Sequence, residues 1–177
     1  MASLSEFFSD PTSTGTWTAV TDQSAVTVTS KSLWGVMPVK VRFTEFSAEG
    51  QVTAPQTVSG RIDIKAASLR SGIGKRDDHL RSADFFEAEK FPDISVVVSS
   101  ADSVTADTLG LRANVTIKGT TKPVELQTKV TPVGDGAMRL ATQATINRQD
   151  FGVDGNLMGM ITDNVTISGD LVFRRAT

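Results

Sequence analysis

The chain has 177 residues, with 18 lysines and arginines against 20 aspartates and glutamates, a net charge of −2 and a pI near 5.4. That length suits one domain with one sizeable core, and the charge leaves no cationic excess to neutralise a phosphate backbone, which excludes nucleic acid as an expected partner. No cysteine is present, so disulfides, thiolate catalysis and cysteine metal sites are excluded together.

Residues 1–14 carry no lysine or arginine, and their longest apolar run is Phe7-Phe8. They read as a flexible polar leader and not as an export signal. No later stretch approaches the ~18 consecutive apolar residues of a membrane span. The expectation is therefore a water-soluble, cytoplasmic chain without a transmembrane segment, in which residues 15–177 form a single domain.

From Gly15 onward the pattern is a succession of period-2 runs, the mark of half-buried strands. Weak strands are expected near Trp17 and over Ser24 to Ser30. A clear one places Val39, Val41 and Phe43 opposite Lys40 and Arg42. Gln51 to Thr53 is weak again, after which Ile62 and Ile64 alternate with Arg61, Asp63 and Lys65. The run from Lys75 to Pro92, KRDDHLRSADFFEAEKFP, breaks the pattern. It has no β-branched residue from Lys75 to Ser82, and Leu80, Ala83 and Phe86 recur at a spacing of three, which predicts a short helix in the 75–86 region. Its apolar side would face inward while Arg76, Asp77, Asp78 and Arg81 stay in water. Strands resume at Ile94 to Ser99, then with Leu111, Ala113, Val115 and Ile117 on one face, followed by Val124, Leu126, Thr128 and Val130. Leu140, Thr142, Ala144 and Ile146 form another, and Val165, Ile167, Gly169, Leu171 and Phe173 the last. Turn residues between the runs, Gly119 to Lys122 and Gly134-Asp135-Gly136, predict antiparallel hairpins and hence a meander. The pattern alone leaves a barrel and a sandwich both open.

Several segments are similar, in order, to those of the YceI-like family of lipocalin-like, polyisoprenoid-binding proteins. RDDHLRSADFFEAEKFPDI (76–94) resembles the family's signature. Gly15 to Thr18 resembles its opening strand, VKVRFTEFSAEG (39–50) its second long strand, LRANVTIKGTTKPVEL (111–126) its central hairpin, and ATINRQDFGV (144–153) its INR-x-DFG segment. The resemblance implies an all-β fold, an eight-stranded antiparallel lipocalin-like barrel with a short helix. It also implies a homodimer, and an apolar bore that takes a long amphiphile: a polyisoprenoid, an isoprenoid quinone or a fatty amide. Lining residues expected on that basis are Val41, Phe43, Ile64, Leu80, Phe85, Phe86, Ala113, Val115, Leu126, Ala144, Phe151 and Ile167, with Arg76, His79, Arg81 and Arg148 near a polar head. Small or polar inward positions, Ala113, Thr128, Thr142, Ala144 and Gly169, would leave room in the bore, and a fully packed barrel is the opposing expectation. The chain departs from the family at Gln23 and Ser32, which stand where histidines are common, and at Val41, which replaces a glycine. A different head group is therefore expected.

His79 is the sole histidine, so it alone could serve a serine nucleophile as base. It lacks the nucleophile-elbow context. A hydrogen bond to a neighbouring carboxylate or carbonyl is the simpler role, and an acid–base enzyme using His79 with a carboxylate such as Asp77 is the alternative function. Gly72-Ile73-Gly74-Lys75 fails as a phosphate loop, since Leu69 and Arg76 stand where it needs glycine and serine or threonine. Asn114-Val115-Thr116 and Asn164-Val165-Thr166 follow from strand alternation, and Met158 and Met160 read as loop packing. Arg76, Arg81 and Arg148 either hold an anionic or carbonyl oxygen or pair with Asp77, Asp84 or Asp150 to fix the helix on the barrel. No cofactor and no metal are expected.

Overall fold

The computed structural model describes residues 3–32, 35–53, 57–156 and 161–176; Met158 and Met160 lie outside them. The described residues form eleven strand segments: β1 (Gly15–Ala19), β2 (Ala25–Ser32), β3 (Met37–Phe43), β4 (Phe46–Thr53), β5 (Thr57–Lys65), β6 (Leu69–Arg70), β7 (Asp93–Ser103), β8 (Thr108–Ile117), β9 (Thr120–Pro132), β10 (Met138–Asn147) and β11 (Asn164–Arg175). Two helices join them, α1 (Leu4–Ser9) and α2 (Gly74–Arg81). Pairing is antiparallel throughout, and eight strands close a ring in the order β1-β4-β5-β7-β8-β9-β10-β11 and back to β1.

The remaining segments come from breaks in long strands. β11 pairs with β1 through Phe173 to Arg175 and with β2 through Thr166 to Asp170. β1 and β2 thus lie end to end along it, separated by the turn at 21–23. β3 and β4 repeat the device, pairing respectively with β2 and β1 across a break at Thr44-Glu45. At one end of the barrel the wall is consequently β2, β3 and the two-residue β6, which pairs only with Arg42 and Phe43. Pro38 and Lys40 lie on the outer part of β3, residue types that blunt an exposed edge.

Alternation sets the core. In β8, Leu109, Leu111, Ala113, Val115 and Ile117 are buried, and Arg112 and Asn114 are exposed between them. Its ten residues span roughly 33 Å at ~3.3 Å per residue. The β8–β9 hairpin turns on two residues, Lys118 (φ 51°) and Gly119 (φ 77°), both left-handed as such a tight turn requires. Glycine is required at 119 for a second reason: a Cβ there would lie 2.7 Å from the Phe91 ring.

One sequence expectation is corrected. Within the flexible leader expected over 1–14, residues 3–14 are structured and packed on the barrel. Ser3 caps α1 in a reciprocal box with Glu6, Leu4 is buried, its N–H donates to the Ala106 carbonyl at 2.8 Å, and Phe7 packs on Phe8 (5.3 Å) and Trp17 (5.6 Å). Three apolar side chains on six residues sufficed to dock the segment. The short helix predicted in the 75–86 region is present as α2; it ends at Arg81, and Ser82 to Phe86 follow in turns. The 3-residue spacing from Leu80 to Phe86 is coincidental there, because the helix stops after two turns.

Candidate functional site

The barrel interior is not filled. An upper chamber of about 360 Å³ lies at the α2 end, and a lower one of about 120 Å³ at the α1 end. They adjoin at a waist where Ile62, Leu126 and Thr142 line both. At the waist Thr128 donates to the Thr142 hydroxyl at 3.0 Å, so these two polar groups satisfy one another inside an apolar bore. Leu4, Phe7, Phe8 and Trp17 close the lower end.

The upper chamber brings together most of the residues singled out from sequence. Val41 and Phe43 of β3, Ile64 of β5, Val115 of β8, Leu126 of β9 and Ile167 of β11 line its wall. Leu80, Phe85 and Phe86 cover it, with Phe151 below the 148–151 turn, and Arg76, His79 and Arg148 add polar groups. Ala113 and Ala144 belong to the packed interior but line neither chamber, and Arg81 also lies off the lining. Of the positions where the chain departs from the family, Ser32 lines the chamber near its mouth, whereas Gln23 is exposed in the 21–23 turn. The sequence reading missed Val26, Val28 and Ser30, all lining from β2. Their even spacing was the available signal.

The cover is fixed largely through backbone carbonyls. Arg81 donates to the carbonyls of Ala67 and Leu69, both at 2.9 Å, and to Asp78 at 3.2 Å, tying α2 to β6. Asp77, expected in water, is buried and accepts the Ser71 N–H at 2.9 Å and the Ser71 hydroxyl. It anchors the segment before the helix. Arg76, also expected in water, is half-buried on the chamber, donating to the Ser71 hydroxyl (2.8 Å) and carbonyl (2.7 Å). His79 Nε2 lies 2.8 Å from Asp84 Oδ2 and its ring stands edge-on to Phe85 at 5.0 Å. Arg148 is 5 % exposed and donates to the carbonyls of Thr162, Val153, Gly155 and Ile161, with Asp163 at 3.7 Å. Burial pulls its pKa below the ordinary arginine value, opposed by Asp163 and Asp154. Such a fork occupied by four carbonyls positions the loop after the 148–151 turn, and the carboxylate partners expected for it, Asp77, Asp84 and Asp150, are not the ones it finds. That loop meets the cover at Gly155, where a Cβ would lie 2.2 Å from the Asp84 carbonyl oxygen.

Chemically, the arrangement offers a long apolar enclosure with a few polar groups at one end. Among the described residues no group of three or more histidine, cysteine or carboxylate side chains could hold a metal, and no helix is long and apolar enough to cross a membrane.

A closed eight-stranded antiparallel barrel around an apolar chamber places the protein among the lipocalin-like β-barrels. More narrowly, the chain belongs to the YceI-like family, whose domain model matches residues 17–173. It is similar to the UPF0312 proteins of Pseudomonas putida, 35 % identical over 106 residues, and Pseudomonas fluorescens, 35 % identical over 109 residues. Each match covers 57 % of this chain and 55 % of the relative, so the chain matches about half the length of these relatives. Among solved structures it resembles Burkholderia cenocepacia BcnA, with a TM-score of 0.81 at 24 % identity over 90 % of this chain and 99 % of that one. It also resembles a polyisoprenoid binding domain from Saccharophagus degradans, with a TM-score of 0.75 at 17 % identity over 90 % of this chain and 98 % of that one.

Proposed function

We propose that this protein is a non-enzymatic carrier or sequestering protein for a long-chain amphiphile of the polyisoprenoid, isoprenoid quinone or fatty amide type. The observation that carries this reading is the unfilled apolar bore, two adjoining chambers of about 360 and 120 Å³ inside a closed barrel. Native interiors are normally packed to the density of organic crystals, so space of this size in a single-domain core points to an occupant. Apolar burial at ~25 cal/mol per Å² would supply the affinity. Ser32, Arg76 and His79, at the α2 end, would orient the head group. The Saccharophagus degradans neighbour, described as a polyisoprenoid binding domain, supports the ligand class. The homodimer and cytoplasmic location expected from sequence belong to this proposal as well.

The test is mass spectrometry of an organic extract of the purified protein, which is expected to release one class of long apolar molecule in near-stoichiometric amount. An extract without any such molecule, together with no uptake of polyprenols or quinones by the apo protein, would reject the carrier. The specific observation favouring an enzyme is the contact of His79 with Asp84, 2.8 Å apart at the chamber. Asp84, not the buried Asp77, is the carboxylate that such an enzyme would use. His79→Gln separates the two readings: turnover of a bound lipid in the wild type that this variant abolishes, with binding retained, establishes the enzyme, and absence of turnover in the wild type leaves the carrier.

A further inference from the structure

We propose that the rim of the upper chamber, where Val36 and Met37 at the start of β3 stand with the segment leading into α2, docks onto an anionic lipid bilayer. This rests on the carrier reading, because a carrier of a water-insoluble chain must exchange it with a lipid phase.

The β2–β3 hairpin and α2 border the same end of the bore, since Ser32 and Val39 of the hairpin and Arg76 of α2 line one chamber, and we place its portal between them. Beside that portal three apolar side chains face water: Val36 is 78 % exposed, Met37 51 % and Ile73 53 %. A scattered exposed valine is ordinary, but apolar side chains presented on both sides of a ligand portal are not. The charge around them is in cationic excess. Residues 24–45 and 69–78 carry six cations, Lys31, Lys40, Arg42, Arg70, Lys75 and Arg76, against three carboxylates, the exposed Glu45 and Asp78 and the buried Asp77, in a chain whose net charge is −2. All the cations but Arg76 are exposed. Lys31 is paired with Pro38, and Lys40 with Thr29, placing both within a few residues of Met37.

The opposite end of the barrel supplies the contrast. Val104 and Val133 are exposed there too, but the charges beside them are mixed: Asp102, Asp107 and Asp135 are their neighbours, with Lys129 3.8 Å from Asp107 and Arg174 donating to the Asp135 carbonyl at 3.4 Å. Apolar side chains ringed by lysine and arginine suit the headgroup region of an anionic leaflet, where the cations meet lipid phosphate and the apolar tips enter the acyl boundary. The same tips among mixed charges would gain no such attraction. The docked orientation would set the chamber mouth against the bilayer, so an apolar chain could pass without crossing water.

The experiment is flotation of the full chain with vesicles of phosphatidylcholine alone and of phosphatidylcholine mixed with phosphatidylglycerol. The protein is expected to float with the anionic vesicles, and weakly or not at all with neutral ones. Added salt should weaken the association as screening shortens the range of the charges. Two variants test the surface separately, Val36→Asp/Met37→Asp/Ile73→Asp and Lys31→Glu/Lys40→Glu/Lys75→Glu. Each is expected to lower partitioning about tenfold or more. None of the six residues lines the chamber, so both variants should keep the wild-type load in the organic extract. Wild-type protein that ignores anionic vesicles, that binds neutral ones equally, or whose binding survives both variants overturns the proposal. So does an apolar variant that converts a dimer to a monomer without changing vesicle binding, which would assign the surface to a second copy of the chain. The carrier reading fails independently, by an empty extract and no uptake of polyprenols or quinones in protein that still floats.

Discussion

Phe85→Ala is expected to lower the stability of the protein by about 3 to 5 kcal/mol, the range for deleting a buried phenylalanine. At roughly 2 to 4 °C per kcal/mol for a chain of this size, the melting temperature should fall by about 6 to 20 °C. Phe85 is 4 % exposed. It packs against the His79 ring at 5.0 Å and lies beneath Gly155, where an added Cβ would come within 2.9 Å of its ring. The side chain therefore joins α2, the turn after it and the loop held by Arg148, and its loss leaves a gap that none of the three can close without moving the others. Phe86→Ala is the comparison. Both rings border the chamber, but Phe86 is only half-buried and stands edge-on to Phe43 at 5.9 Å, so its removal forfeits less buried surface and should cost less. Thermal melts of the two variants check the order. If Phe85→Ala melts within a degree of wild type, the cover is not part of the cooperative unit, and the chamber is open at this end in solution.

The wall of the site was legible in the sequence because alternation is a local property: Leu111, Ala113, Val115 and Ile117 face inward whatever closes the barrel around them. Closure itself was not legible. The break at Thr44-Glu45, which splits one long strand into β3 and β4, has no glycine or proline to announce it, and the turn at 21–23 splits β1 from β2 with equally ordinary residues. Both breaks depend on partners distant in sequence, such as the Ser68 carbonyl that receives the Thr44 N–H and hydroxyl. Asp77 illustrates a second limit. A carboxylate in a run as polar as KRDDHLR reads as solvated, yet it is buried, because Ser71 before the helix turns back to supply two donors. Arginine partners were unreadable for a related reason. Arg81 and Arg148 take mainly backbone carbonyls, which every residue carries and which therefore leave no mark in composition.

The second large effect concerns ligand and not stability. Ile167→Trp should keep the barrel folded with a melting temperature near wild type and abolish most long-chain ligand. Ile167 sits in the first half of β11, paired with Ala144 on one side and Val28 on the other, and its side chain borders the upper chamber. An indole there has about 360 Å³ of open space beside it, so it escapes the 1 to 3 kcal/mol or so that overpacking a full core commonly costs. The ring occupies wall that an apolar chain would otherwise touch. Displacing about 100 Å² of that contact at ~25 cal/mol per Å² forfeits about 2.5 kcal/mol, close to a hundredfold in affinity. Ala113→Trp provides the opposite case. Ala113 is buried, points inward and lines neither chamber, so the same ring has no adjoining space and must push apart the wall between Leu111 and Val115. That variant should lose stability by about 1 to 3 kcal/mol or more. Melting curves and extracts of the two proteins, measured side by side, decide the matter: an Ile167→Trp protein that melts far below wild type indicates a barrel packed around Ile167, and a stable one that still carries the full ligand load places binding outside the upper chamber.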